Sequence, residues 1–245
     1  MAGTGVRLCF DEDLRLFLAP RNRGLSVEVR CDGTSTAGHL VQSLGVPLTE
    51  VGSLAVGGRP VEPSYRPAGA DVVDVRPVSR PQQLPPGPPR FLLDVHLGTL
   101  ARRLRLLGVD CGYSNHADDD ELIAQAGEQR RVLLTQDRGL LRRRSLWLGG
   151  YVRGAQPDEQ LRDVLDRFAP ALAPWTICTA CNGRLSPAPK AEVRALLQPG
   201  TRRTYDSFAR CQACGRVYWH GAHSGHLDRI IAAVTDPGGL PGSPG

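Results

Sequence analysis

The chain has 245 residues, 41% of them hydrophobic and 22% charged, and a net charge of +5. That length suits one large domain or two to three small ones, with the composition of a soluble protein that buries a real core. No apolar run approaches the roughly 18 residues of a membrane helix, and the start, Met1 to Cys9, lacks the pattern of a secretory signal, so neither a membrane span nor export is expected and the cytoplasm is the default.

In chain order, Val6-Arg-Leu-Cys-Phe10, Leu14-Arg-Leu-Phe-Leu18 and Ser26-Val-Glu-Val-Arg-Cys31 alternate apolar and polar residues, which predicts strands with one buried face. Thr36 to Leu44 predicts a short helix, capped by Ser35 or Thr36 and stopped by Gly45. Leu54 to Val61, with a glycine turn, and Ala70 to Val78 predict further strands. The order strand, strand, helix, strand, strand over residues 1–79 resembles the ubiquitin-like β-grasp fold. Sulfur carriers of that fold act through a free Gly-Gly end, whereas here the last strand runs into Arg80 and a run of prolines. A docking or substrate-guiding module, with a protein as partner, is the expected role.

Residues 77–90 carry six prolines and few apolar side chains, so residues 80–90 are expected to form a stiff extended spacer. Beyond it the rhythm becomes strand, helix, strand, helix over residues 91–172, the signature of parallel βαβ units. Strands are predicted at Phe91 to Leu93, Val109 to Tyr113, Val132 to Thr135 and, more weakly, Tyr151 to Arg153. Helices are predicted at Leu97 to Leu107, with Gly108 as the stop, at Asp119 to Gln129, and at Pro157 to Phe168, where proline suits the first turn.

Three acidic points stand out. Asp94 closes Arg90-Phe-Leu-Leu-Asp94, Asp137 closes Arg131-Val-Leu-Leu-Thr-Gln-Asp137, and Asp118-Asp-Asp-Glu121 opens the middle helix. Two of them end buried parallel strands, where an open α/β sheet has its binding crevice. Carboxylates gathered there repel one another unless a cation joins them, and Mg²⁺ or Mn²⁺ would suit their hard oxygens. This pattern suggests metal-assisted hydrolysis of a phosphate ester, needing no nucleophilic side chain, and the sequence has no GxSxG elbow or Walker loop. Asp118 and Glu121 also have the spacing of a helix capping box, and Thr135 is a candidate to orient a metal-bound water or to make a turn bond.

Cys178-Thr-Ala-Cys181 and Cys211-Gln-Ala-Cys214 are two CxxC knuckles separated by 29 residues, the spacing of a closed structural Zn²⁺ site. The remaining cysteines, Cys9, Cys31 and Cys111, lie in strand-like runs and read as buried thiols. Residues 175–245 hold eight Lys and Arg against four acids, whereas residues 91–150 hold nine against eight. Cations and aromatics between and beyond the knuckles, including Arg202, Arg203, Tyr218 and Trp219, suit phosphates and unpaired bases. Arg102, Arg103, Arg138 and Arg142 to Arg144 are candidates to border the acidic cleft, and residues 236–245, rich in Gly and Pro, read as a disordered tail.

Taken together, the run from Arg90 to Asp110, then Asp119-Asp-Glu-Leu, then Arg131 to Leu141 resembles the Mut-seven C-terminal RNase domain family over residues 3–225. The resemblance implies a PIN-like parallel sheet flanked by helices, preceded by a ubiquitin-like domain and followed by a zinc ribbon over residues 173–235. It implies a metal-dependent ribonuclease in which Asp94, one or two of Asp119, Asp120 and Glu121, and Asp137 hold Mg²⁺ or Mn²⁺. A fourth acid of PIN nucleases would fall on Asp158 or Glu159. The competing reading is a non-catalytic RNA- or ribosome-binding adaptor that works through the ribbon.

Overall fold

The computed structural model describes residues 5–31 and 33–219. Strands β1 (Gly5–Phe10), β2 (Val27–Arg30), β3 (Val51–Val56), β4 (Arg59–Val61) and β5 (Val72–Pro77) form one sheet in the order β2-β1-β5-β3-β4. β1 and β5 run parallel at its centre and the other pairs are antiparallel, so this is the ubiquitin-like arrangement. Val6, Leu8 and Phe10 alternate with outward residues and pack with Leu40 and Val41 of helix α1 (Ala37–Ser43), which Thr36 caps through the His39 amide.

One element differs from expectation. Leu14 to Leu18 is a 3-10 helix, Glu12–Phe17, capped by the Asp11 side chain, and not a strand. Leu14, Phe17 and Leu18 are all buried, so the i, i+3, i+4 spacing outweighs the i, i+2 reading of Leu14, Leu16 and Leu18.

The second sheet is wholly parallel, in the order β7-β6-β8-β9, from β6 (Phe91–Leu93), β7 (Cys111–Tyr113), β8 (Val132–Thr135) and β9 (Gly149–Tyr151). β9 starts two residues before the predicted Tyr151, because two glycines carry no strand signal yet pair as Leu133 with Gly149 and Leu134 with Gly150. Helices α2 (Gly98–Leu106) and α4 (Pro157–Phe168) cover one face, packing on Phe91, Leu93, Val132 and Leu134. Helix α3 (Asp119–Glu128) covers the other, packing on Leu92 and Leu133. Gly108 ends the turn after α2 with φ of +78°, and a Cβ there would lie 2.0 Å from the Ala173 carbonyl oxygen.

The proline-rich segment, expected as a stiff extended spacer, is docked on the second domain. Arg80 bonds Asp163 at 2.7 Å and Asp166 at 2.8 Å on α4, the Gln82 amide donates to the Arg167 carbonyl, and Leu84 packs on the core. A cation and one leucine thus dock a chain that has no core of its own.

The two sheets are joined by a buried ion pair. Arg167 of α4 donates to both oxygens of Glu50 at 2.8 and 2.9 Å, and Glu50 also accepts the Tyr151 amide. Glu50 is 2% exposed and Arg167 1%.

The third part pairs β10 (Leu185–Ala188), β11 (Phe208–Cys211) and β12 (Val217–Tyr218) antiparallel. Short helices α5 (Lys190–Val193) and α6 (Pro199–Thr204) fill the space between the knuckles around Val193, Leu197 and Phe208. The expected disordered tail, residues 236–245, lies outside the described residues. No helix among the described residues is long and apolar enough to cross a membrane.

Candidate active site and metal centre

In the sheet order β7-β6-β8-β9 the chain steps from β6 to one neighbour and returns to the other, so the order reverses between β6 and β8. With α2 and α3 on opposite faces, the strand order makes the carboxyl ends of these two strands the expected place for a binding crevice. Asp94 follows β6 directly, and Asp137 follows β8 after Gln136. Residues Asp119 and Asp120 begin α3, which follows β7 and places them at the same sheet edge.

Asp94 is 5% exposed. Its Oδ1 accepts the His96 amide at 2.9 Å and its Oδ2 accepts the Thr135 hydroxyl. Thr135, fully buried, also accepts the Asp137 amide at 2.8 Å. Its hydroxyl therefore ties the two strand-end aspartates together through a turn bond, and its one proton faces Asp94, not a water. No Lys, Arg or His among the described residues lies within ion-pair distance of the Asp94 carboxylate. A buried carboxylate without a positive partner is costly, and a bound cation would relieve that cost.

Asp137 is exposed; its Oδ1 accepts the Gly139 and Leu140 amides at 2.6 and 3.3 Å. Asp119 and Asp120 are exposed, and Asp120 pairs with Arg143. Asp118 and Glu121 form the full capping box, which engages Glu121 with the Asp118 amide. Of the fourth-acid candidates, Asp158 pairs with Arg103, and Glu159 accepts the Ala155 and Gln156 amides as a helix cap. No three of these carboxyl groups lie within 4.8 Å of one another. The acids share an edge without forming a closed cage.

Arg102 is exposed on α2. Arg138, a candidate for gripping RNA, is turned instead onto the first domain, over the Phe17 ring at 5.2 Å and the Tyr151 ring at 5.8 Å. Arg203 is exposed and Arg202 half-buried on α6, and Trp219, 37% exposed, packs its ring 6.4 Å from that of Phe208.

The knuckles come together as expected. Cys178, Cys181, Cys211 and Cys214 are, among the described residues, the group of His, Cys, Asp and Glu whose ligand atoms all lie within 4.8 Å of one another. The sulfur separations are 3.7 Å for Cys178 and Cys214 and 3.5 Å for Cys181 and Cys211. A tetrahedron with metal–sulfur bonds of about 2.3 Å requires about 3.8 Å, so the four thiols fit a metal such as zinc. A Cβ on Gly183 would lie 2.9 Å from the Cys211 sulfur, which explains glycine in the knuckle. At Cys178 burial opposes ionisation, but the Tyr218 hydroxyl at 3.0 Å and the Cys181 and Ala180 amides favour the thiolate and bring its pKa to about 6. Burial and neighbouring thiols push Cys181 up to about 12. Four thiols cannot share one pocket as anions without a cation.

Sequence reasoning missed how the knuckle is welded to the parallel sheet. Buried Arg105 of α2 donates to the Thr179 and Ala180 carbonyls inside the knuckle and to the Cys111 carbonyl of β7. The Asn182 side chain accepts the Cys111 amide at 2.9 Å and donates to Asp110 at 2.6 Å. Burial works against the Asp110 charge, yet bonds from Arg131, Asn182 and Arg90 hold its carboxyl below the ordinary range. The signal was an Asn directly after the second knuckle cysteine, where φ is +67°. A cavity of about 480 Å³ sits beside this weld, lined by Arg90, Asp110 and Asn182. It lies at the edge where β6 and β7 begin, opposite the strand-end acids.

Comparison with known families finds two models along the chain. A Mut7-C ubiquitin model matches residues 3–83 and a Mut7-C RNAse domain model matches residues 89–231. No curated protein and no solved structure matches the chain. Since the second model alone spans more than half of the sequence, the chain belongs to the Mut7-C RNAse domain family.

Proposed function

We propose that the protein is a divalent-metal-dependent ribonuclease that hydrolyses RNA phosphodiester bonds at the β6/β8 crevice. The observation that carries this reading is Asp94, 5% exposed and without a cation partner, tied by Thr135 to the strand-end Asp137. Mg²⁺ or Mn²⁺ would supply neutralisation of the phosphate oxygens and a more acidic bound water. Asp94 and Asp137 would hold the ion directly, with Asp119 and Asp120 acting through its waters. Mg²⁺ commonly keeps several waters and needs only one or two carboxylates, so a closed cage is unnecessary.

RNA would be held by Arg102 beside the crevice and by the ribbon through Arg202, Arg203 and Trp219. Residues 173–219 carry seven Lys and Arg against two acids. Lys190 pairs with Asp206, while the six arginines make no ion pair among the described residues. Such a surface suits a polyanion, and an exposed tryptophan suits a stacked base. Zn²⁺ on the four cysteines would be structural.

The test is cleavage of a mixed single-stranded RNA with Mn²⁺ or Mg²⁺. Asp94→Asn and Asp137→Asn should each lose more than the roughly 10–100-fold typical of an outer-shell partner. Full activity in both variants would refute the site. RNA binding without metal-dependent turnover, weakened when Arg202 and Arg203 are neutralised, would instead support the adaptor reading, which the openness of the acid group favours.

A further inference from the structure

We infer that the ubiquitin-like domain is a built-in brace of the crevice, with Arg138 as the positioning residue that ties it to Asp137; the catalytic meaning of the brace rests on the ribonuclease reading. Asp137 sits in a tight turn in which its Oδ1 accepts the Gly139 and Leu140 amides. The parallel-sheet domain holds the start of this turn, through the Asp137 amide on the Thr135 hydroxyl and the Gln136 side chain on the Val152 and Gly154 carbonyls. The next residue, Arg138, reaches across to the first domain. Its guanidinium carbon lies 5.2 Å from the Phe17 ring and 5.8 Å from the Tyr151 ring, and it donates to the Phe17 carbonyl at 3.3 Å. Those two rings meet edge to face at 5.1 Å, and Phe17 is 3% exposed.

The seat for Arg138 is rigid for independent reasons. Tyr151 is held through its amide by Glu50, which is locked to Arg167, and Arg153 pairs with Asp13 at 2.9 Å in the turn that carries Phe17. A cation held over two touching rings and bonded to the Phe17 carbonyl is drawn away from the neighbouring Asp137 carboxylate. The domain therefore fixes the turn and keeps its acid free for a metal ion. This role requires no other protein.

The full-length chain would be compared with Phe17→Leu, which keeps an apolar filler, and Arg138→Met, which keeps the stem and removes the charge. Amide exchange at Gly139 and Leu140 reports the turn without reference to activity. Both variants should speed exchange there about tenfold, the scale of one partly desolvated cation–π contact, while β6 amides stay unchanged. On RNA, kcat should fall by a similar factor with KM within about twofold, and Arg138→Lys should restore part of it. Unchanged exchange at both amides overturns the brace whatever the activity. A raised KM with unchanged kcat in Arg138→Met also overturns it, since Arg138 would then contact RNA. Faster exchange in both variants of a protein that cleaves no RNA would uphold the brace and defeat only the ribonuclease reading.

Discussion

Thr135 shows how one hydroxyl organises a site. It donates to Asp94 and accepts the Asp137 amide, so it sets the distance between the two strand-end acids. Thr135→Val keeps the shape and deletes both bonds; ribonuclease turnover should fall roughly 10–100-fold, while Thr135→Ser keeps most of it, measured as kcat with Mn²⁺. Asp110 offers a residue-scale test of a different kind. Its carboxyl is more acidic folded than unfolded, so its contribution is complete above the unfolded value of about 4 and is lost as pH falls through the lower folded value. Asp110→Asn should therefore lower stability near neutrality and flatten its fall below about pH 4, read from urea midpoints across that range.

At the scale of elements, the knuckle, α2 and β7 behave as one unit. Arg105 and Asn182 join the carbonyls and side chain of the knuckle to the backbone of β7. Tyr113 at the end of β7 then donates to the Val95 carbonyl beside Asp94. Asn182→Ala removes a donor and an acceptor from partly buried groups and should cost about 1–3 kcal/mol in urea unfolding. Stripping the metal from the ribbon with a chelator should speed amide exchange at Cys111, whose N–H is bonded to Asn182, and leave β8 unchanged. The helices of this region were legible because Leu100, Ala101 and Leu104 repeat at 3.6-residue spacing and Pro157 marks a first turn. The weld was not, because nothing in the sequence tells which carbonyls a buried arginine will meet.

For the whole molecule, the decisive contact is Glu50 with Arg167, two charges with 3% and 1% of their side chains exposed. Glu50→Gln leaves the guanidinium buried with a weakened partner, and removing one member of such a pair costs about 3–5 kcal/mol. Urea unfolding that is single and cooperative in the parent should split into two transitions in the variant, the β-grasp domain melting first. The linker composition predicts a stiff extended spacer and carries no sign of this contact. Its Arg80 and Leu84 were the residues that could have warned of docking, since an arginine and a leucine among prolines can pair with and pack on a neighbour.

Period-two and period-3.6 patterns, glycine stops and cysteine spacing are local properties of a chain, and from them the strands and helices of the parallel sheet and the four-thiol centre followed, whereas the 3-10 helix Glu12–Phe17 and helices α5 and α6 did not. The acids were also legible as strand ends. What tertiary packing alone decided was their company: Thr135 between Asp94 and Asp137, Arg143 on Asp120, and Arg138 turned away onto Phe17. Apart from Thr135 and Asp137, those partners are tens of residues apart in the chain, and side-chain pairing depends on where sheets and domains bring surfaces together, which no local period encodes.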